Sequence, residues 1–350
     1  MPESPFSSDA ARQPVPAEWT GPGLVDLQLN GYAGVDFNGP VESLTPEVFH
    51  RVRVALTRRG VVAALPTLIT CSRSDLLNRV RRYARIVETD PVLAAVFPRL
   101  HIEGPFISSG EGPRGAHPAE YCSTPLDEPR WLDELWEASG GRIGVLTLAP
   151  ELPGAPDLIA RAVSRGIIVA LGHTAAGAEA LDRAARAGAR LSTHLGNGSH
   201  QTLPRLDNYV QTQLADDRLM ASFIADGHHI PFPTLKNFIR AKTPERSILV
   251  TDAMAAAEVG PGRYTFLGEE VLVSEELRVS KPGQPNLAGS ALTLDRAVVN
   301  VALHCGVPFD QAWVMASESP AALLDLKGLA EVRVRVEAGG FQRVESGIVS

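Results

Sequence analysis

Several short apolar runs in this chain end on a side chain that can bind a metal or move a proton. "LHIEGPFIS" closes its apolar run on Glu103, "LGHT" on His173 and "STHLGN" on His194. "IADGHH" supplies Asp226, His228 and His229, "VTDAM" supplies Asp252, and the earlier run "GLVDLQLN" carries Gln28 and Asn30. Two imidazoles and a carboxylate form a donor set for a divalent ion such as Zn²⁺ with one position open, the pattern of a catalytic site rather than a structural one. Such an ion polarises a carbonyl and activates a water. A neighbouring carboxylate, here Asp252, can take the water's proton and pass it to a leaving amine. A lone histidine is more often a satisfied core or loop residue, and Asp252 by itself is as readily a helix cap. Their joint occurrence at strand ends points to a metal-assisted hydrolase.

These residues are far apart in sequence, so a fold must collect them. β-branched runs suggest strands at 24–29, 61–65, 99–102, 143–148, 167–171, 191–193, 222–225 and 248–250. Helical patterns lie between most of them, at 46–59, 74–88, 129–138, 156–165, 176–187 and 233–242. "RRGVVAAL", "SRGIIVAL" and "RAGARLSTHL" repeat one grammar: a helix end, a Gly, then a strand. Eight strands alternating with helices imply an α/β fold, a (β/α)8 TIM-like barrel, whose C-terminal strand ends converge on one rim. No Gly-rich phosphate fingerprint follows the first strand, which argues against a dinucleotide-binding sheet.

Two segments interrupt the repeat. Residues 104–128 form a long Gly/Pro/Ser-rich loop, and 260–290 contain two β-patterned runs that suggest a β-hairpin inserted after strand eight. "SALTLDRAVVNVALHCG" reads as the eighth helix, with Ser290 as a possible N-cap. The expected organisation is a loose leader over 1–20, the barrel over 21–325 and a C-terminal β-like tail over 326–350, packed outside the barrel.

Bulk properties narrow the partners. A formal net charge of −7 argues against a sequence-independent grip on nucleic acid or anionic lipid. No run approaches the length of a spanning helix, and the N-terminus lacks the basic start and apolar core of a signal peptide. Cys71, Cys122 and Cys305 form no CxxC pair, which suits a reducing compartment. A cytoplasmic protein acting on a small molecule is expected, with no nucleic-acid or membrane partner.

In family order, "GLVDLQLNGYAGVDFN", "LPTLIT", "HIEGPFIS", "GAHP", "LTLAPE", "GHTAA", "THLGN", "IADGHHI", "VTDAM" and "LAGSALTLDRAV" run along residues 21 to 325. In these segments the chain resembles the N-acetylglucosamine-6-phosphate deacetylases of the amidohydrolase superfamily. The resemblance implies Glu103, His173 and His194 as metal ligands, Asp252 as catalytic acid and base, and His229 as the group that polarises the acetyl carbonyl or holds the sugar. It places Ala116 and His117 beside the sugar, and Asn197, Gly198, Asp226, Gly227 and His228 along the sugar or phosphate. His228 reads better as a surface group or one behind the site. Leu287, Ala288 and Gly289 would close over the substrate. Many amidohydrolases carry His-x-His at the end of strand one and hold two metals there. Gln28-Leu29-Asn30 stands in its place, which implies one divalent ion per chain, with zinc the expected ion.

The chain departs from the family pattern in three ways. After the strand-six histidine the family continues with Asn-Ala-Met and then an Arg for the 6-phosphate, often across a dimer interface. Here "GNGSHQTLPRLDNYVQTQLADDR" offers only Arg205, out of register. The family's small β-domain, built from both chain ends, has only about 20 residues before strand one to draw on and lacks its usual C-terminal signature, so it is expected to be reduced or absent. An apolar barrel side so exposed would be covered in a homodimer. The expected reaction is hydrolysis of the acetamide of N-acetylglucosamine 6-phosphate. The same chemistry on an unphosphorylated or different N-acyl sugar stays open, as does a catalytically silent barrel that binds a sugar or a partner.

Overall fold

The computed structural model describes residues 15–266, 269–283, 287–337 and 340–344. The strands, in chain order, are β1 (Glu18–Pro22), β2 (Leu24–Leu29), β3 (Gly31–Tyr32), β4 (Val35–Asp36), β5 (Val61–Ile69), β6 (Leu100–Glu103), β7 (Ile143–Leu148) and β8 (Ile168–Leu171). They continue with β9 (Leu191–Ser192), β10 (Met220–Ile224), β11 (Ser247–Val250), β12 (Gly262–Phe266), β13 (Glu269–Val273), β14 (Val279–Ser280), β15 (Glu331–Glu337) and β16 (Gly340–Val344). The helices are α1 (Pro46–Arg58), α2 (Arg73–Thr89), α3 (Pro91–Val96), α4 (Trp131–Ala138), α5 (Ala155–Ser164), α6 (Ala178–Ala187), α7 (Tyr209–Ala215), α8 (Phe232–Lys242), α9 (Leu294–Cys305), α10 (Phe309–Ala316) and α11 (Glu318–Leu323).

An eight-stranded parallel sheet runs in the order β2-β5-β6-β7-β8-β9-β10-β11, with helices between the strands, and forms the expected (β/α)8 barrel. Each expected barrel strand and helix is present, with ends shifted by a few residues. The short helices α3, α7, α10 and α11 were not expected. At six to eight residues they carry too little periodicity to be read from sequence. Ser290 does not cap α9. Thr293 holds the N-cap position, and Ser290 Oγ instead accepts from Leu292 N in the preceding turn.

The barrel closes between β2 and β11 through both backbone and side-chain contacts. Leu29 and Ala253 form a parallel bridge, and Asp252 N donates to Gln28 O at 3.0 Å. Asp26 seals the seam. Its carboxylate accepts from Gln28 N and Thr251 N, each at 3.2 Å, and from Thr251 Oγ1 at 2.6 Å. Because side chains alternate along a strand, Asp26, Gln28 and Asn30 share one face of β2 and its continuation. Each of the three reaches a polar neighbour from another strand end.

The expected leader over 1–20 requires correction at its boundary. Glu18–Pro22 is a strand that pairs antiparallel with β15, which pairs in turn with β16. The segment "EWTGP" has no alternation of its own, so only its distant partner makes it a strand. Residues 1–14 and 345–350, at the outer ends of the expected leader and tail, lie outside the described residues. Among the described residues the sheet built from the two chain ends has three strands, β1-β15-β16. In "EVRVRVE", Val332 and Val334 are buried and Arg333 and Arg335 exposed, the half-buried pattern read from the sequence. Trp313 stacks on Phe341 at 5.4 Å between ring centroids and donates to Pro22 O, which ties this sheet to α10.

The insertion after strand eight is a three-stranded sheet, β12-β13-β14, where a two-stranded hairpin was expected. Val271, Val273 and Val279 pack with Met254, Ala288 and Ala291 in a core separate from that of the barrel.

Burial pushes the Asp26 carboxyl up to about 7, against the hydrogen bonds from Thr251 and Gln28 that lower it. A raised folded value means that this group favours the fold most below about pH 4, where both states are protonated, and that this contribution is lost as pH rises through about 7. Asp26→Asn keeps an acceptor for the two backbone amides and removes the ionisation. The variant's unfolding free energy should fall less steeply between these limits than that of the parent, by roughly 4 kcal/mol at most, and thermal melts across the range would show it. Parallel melting profiles across that range would show that Asp26 does not titrate there.

Candidate active site

Glu103 ends β6 in the mouth of the barrel, only 3% exposed. Its Oε1 lies 3.1 Å from His173 Nε2 and 3.1 Å from His194 Nε2, and these two nitrogens are 3.2 Å apart. Gln28 Nε2 donates to the same oxygen at 3.0 Å. Around a tetrahedral ion with bonds of roughly 2.0–2.1 Å, donor atoms sit ~3.3 Å from one another. The three donors already have that spacing.

The tautomer of His173 follows from its other nitrogen. Nδ1 lies 2.8 Å from Pro113 O, and a carbonyl only accepts, so Nδ1 is the donor there and Nε2 is the nitrogen turned to the centre. Burial works to raise the Glu103 carboxyl. The hydrogen bonds and charges of His173 and His194 outweigh it and hold the group well below the usual carboxylate range. Burial opposes charge on His194, but Glu103 overrides it and raises the imidazole. Both imidazole Nε2 atoms face Glu103 Oε1, so a cation among them would meet three donor atoms. The residues present thus fit a divalent metal.

His117 also belongs to this cluster. Its Nε2 is 3.8 Å from Glu103 Oε2, and Glu103, His117 and His173 offer donor atoms within 4.8 Å of one another. Thr70 Oγ1 holds His117 Nδ1 at 3.0 Å. Burial first, then the charge of His173, lowers His117 to about 3, so it is a neutral ring. Behind the site, His101 bonds to Leu27 O and to Thr147 Oγ1, and Thr147 bonds to Thr193. Burial lowers His101 to about 4, which keeps it neutral in its place behind Glu103.

Asp252 follows β11, where Asn30 Nδ2 donates to its Oδ1 at 2.6 Å. Burial, then the charge of Glu103, raises its carboxyl to about 6, while the Asn30 bond works against this. At neutral pH such a carboxylate is a usable base, and close to it a usable acid. His229 is oriented by Asp226, whose Oδ2 lies 2.6 Å from Nδ1, while Asp226 Oδ1 accepts from the backbone amides of His228 and His229. His228 turns outward and bonds through Nε2 to Glu276 O of the inserted sheet.

His173, His194 and Asp252 all have left-handed backbone conformations, with φ of 50°, 30° and 49°. For residues with a Cβ this costs of order 1–3 kcal/mol each, and such strain persists where the surroundings enforce it. Gly104, just after Glu103, has φ +83°, and a Cβ there would lie 2.1 Å from Thr70 Oγ1. The strand ends on a carboxylate followed by glycine because the chain must turn against the residue that holds His117.

A cavity of about 760 Å³ opens near this centre, lined among others by Arg114, Ala116, Gly198, His200, Lys281 and Leu287. The backbone at Gly198 passes so close to His173 that a Cβ would lie 2.8 Å from its Nδ1.

No family model matches the chain. It is 34% identical over 328 residues to the N-acetylgalactosamine-6-phosphate deacetylase of Escherichia coli O157:H7, covering 91% of this chain and 84% of that protein. It is 34% identical over 314 residues to the human N-acetylglucosamine-6-phosphate deacetylase, covering 87% of this chain and 74% of that protein. The chain belongs to the N-acetylglucosamine-6-phosphate deacetylase family. Among solved structures it is similar to the Mycobacterium smegmatis enzyme of that name, with a TM-score of 0.81, 29% identity and coverage of 97% and 88% of the two chains. A mutant of that enzyme in complex with N-acetyl-D-glucosamine-6-phosphate gives a TM-score of 0.79 over 92% and 86%.

Several residues expected from the family resemblance lie at the cavity wall: Ala116, Gly198, Leu287 and Ala288. Asn197 bonds back to His194 O, and Gly289, at φ +100°, packs beside Met254. Gly227 forms the turn between Asp226 and His228 with φ +78°. Arg205 stands apart: it is exposed on the 199–208 loop and is not part of the cavity wall. Sequence reasoning missed Thr70, His101 and Pro113, which orient the site through contacts with no local signature.

Asn30→Ala removes the bond that lowers Asp252. The acidic limb of the pH–rate profile should move to higher pH, with activity at neutral pH reduced several-fold. A limb that keeps its position would mean that another group sets it.

Proposed function

We propose that this chain removes the acetyl group from an N-acetylated hexosamine 6-phosphate, with N-acetylglucosamine 6-phosphate the first candidate, giving glucosamine 6-phosphate and acetate. The observation that carries this reading is the convergence of Glu103, His173 and His194 within 3.2 Å, beside Asp252, in a chain of this family. Glu103, His173 and His194 would hold one divalent ion, zinc in our reading, with His117 as a neutral neighbour. When bound, the ion supplies Lewis acidity to the amide carbonyl and to the attacking water.

The chain's own groups do the rest. Asp252 takes the proton of the attacking water and returns it to the amide nitrogen as acetate leaves. His229, its ring fixed by Asp226, places Nε2 against the acetyl oxygen as negative charge develops there. Ala116, Asn197, Gly198 and the 287–289 segment would shape the sugar pocket. Arg205 would reach a 6-phosphate only from a neighbouring subunit. The adjacent Leu206 is 81% exposed, which supports burial of that loop in a homodimer. A cytoplasmic enzyme with a small-molecule substrate and no nucleic-acid or membrane partner completes the reading.

A second reading rests on the E. coli relative, whose name specifies the galactosamine epimer. Acetate release by the zinc-loaded protein should therefore be compared on N-acetylglucosamine 6-phosphate, N-acetylgalactosamine 6-phosphate and N-acetylglucosamine. We expect the phosphorylated sugars to be strongly preferred. Equal rates with the unphosphorylated sugar would overturn the phosphate assignment, and no acetate from any of them would overturn the reading. Glu103→Gln should lose bound metal and turnover together, and full metal occupancy in that variant would remove Glu103 from the ligand set.

A further inference from the structure

The outer wall of the barrel carries a second concavity, of about 630 Å³, between α2 and the 40–42 segment. Arg79, Arg81, Arg82 and Arg85 line it, together with Asn78, Glu42 and Asp75. Asn78, Arg81, Arg82 and Arg85 follow the i, i+3, i+4, i+7 spacing that puts side chains on one helix face. Among the described residues none of the four arginines forms an ion pair. Arg79 Nε donates to Gly39 O at 3.1 Å and its Nη1 to Cys71 Sγ, while Arg82 Nε donates to Leu44 O at 2.6 Å. Arg81 makes only a 3.5 Å contact with Asn78, and Arg85 has no side-chain partner.

Several other helical arginines of the chain are ion-paired. On α6, Arg183 pairs with Glu179 and Arg186 with Asp182, both at i, i+4. At the start of α2, Arg73 pairs with Glu128 and Glu134. Further along α2, the pairs 79/82, 81/85 and 82/85 place like charges at i, i+3 or i, i+4, where they repel. This happens in a chain with more acidic than basic residues overall. Two of the four guanidinium groups are also held in place, because carbonyls of the 39–44 loop occupy their Nε donors. Both outer nitrogens of Arg82 and the Nη2 of Arg79 keep donors for an oxyanion.

We propose that this groove is a binding site for a small polyanion carrying two or more phosphate groups, separate from the active site. The helical row from Asn78 to Arg85 is ~10 Å long, which suits a ligand with anionic groups at two points. No aromatic ring lines the groove, so it reads charge and oxygen geometry rather than a base. The 37–44 loop that forms its wall also carries Asn38, which bonds to Thr67 O and Ile69 N of β5. An occupant would therefore rest on a segment that is hydrogen-bonded to β5 of the barrel.

The test is calorimetric titration of inorganic pyrophosphate into the full-length protein, its Glu103→Gln variant and an Arg81→Gln/Arg85→Gln double variant. Both substituted arginines are exposed and make no bond the fold needs. We expect the parent and Glu103→Gln to bind pyrophosphate alike and the double variant to bind at least about tenfold more weakly. Orthophosphate and citrate should each bind the parent more weakly by a similar factor. Binding lost in Glu103→Gln but retained in the double variant would place the anion at the active site and overturn the proposal. Absence of binding to the parent at millimolar concentration would do the same, and citrate equal to pyrophosphate would overturn the phosphate assignment. None of these outcomes depends on whether the deacetylase reading holds.

Discussion

The structure is organised around one buried carboxylate. Glu103 lies in the barrel mouth where bulk water cannot solvate it, and an isolated charge in such a place is costly unless paired and hydrogen-bonded. Gln28, His173 and His194 all converge on its Oε1. The histidines are constrained in turn: His173 by the Pro113 carbonyl, and both by left-handed backbone turns at their strand ends. Lone pairs gathered this closely suit a cation at their centre. The same electrostatic demand accounts for the depressed Glu103 and the raised His194.

β2 and its continuation connect this centre to the closure of the barrel. Asp26 bonds across the seam to Thr251, Gln28 reaches Glu103, and Asn30 reaches Asp252. The alternation that sends three polar side chains inward brings them in turn to the seam, to Glu103 and to Asp252. Asp252 acquires its raised carboxyl from the same buried surroundings, since Glu103 is close enough to oppose its ionisation. Two carboxylates in one site are thereby held in different states, one kept charged and one near its titration point. This division of labour is what the proposed deacetylation requires.

The peripheral parts shape access. The inserted sheet packs its own small core over Met254, and its Glu276 carbonyl holds His228, so the insertion is tied to the turn that carries His229. The 104–128 loop supplies the Pro113 carbonyl and the Ala116 wall. The three-stranded sheet sits against α10 through aromatic contacts, and among the described residues it supplies no side chain to the site. The paired helical arginines of α6 and the unpaired ones of α2 show that charge on the outer wall is arranged differently from place to place.

By itself the sequence determined the barrel and the polar residues on its rim. Strand periodicity is local, and Glu103, His173, His194 and Asp252 each close or directly follow an apolar run whose type is legible within a few residues. The β-like tail was legible too, because the alternation in "EVRVRVE" is a property of that segment alone. Only the tertiary structure decided which nitrogen of His173 meets the Pro113 carbonyl, that Thr70 holds His117 near Glu103, and that Arg205 is exposed and apart from the cavity wall. It alone revealed that "EWTGP" is a strand, since its partner lies at the other end of the chain. In each of these cases the deciding group is remote in sequence or is a backbone carbonyl, and neither leaves a mark in residue type or spacing.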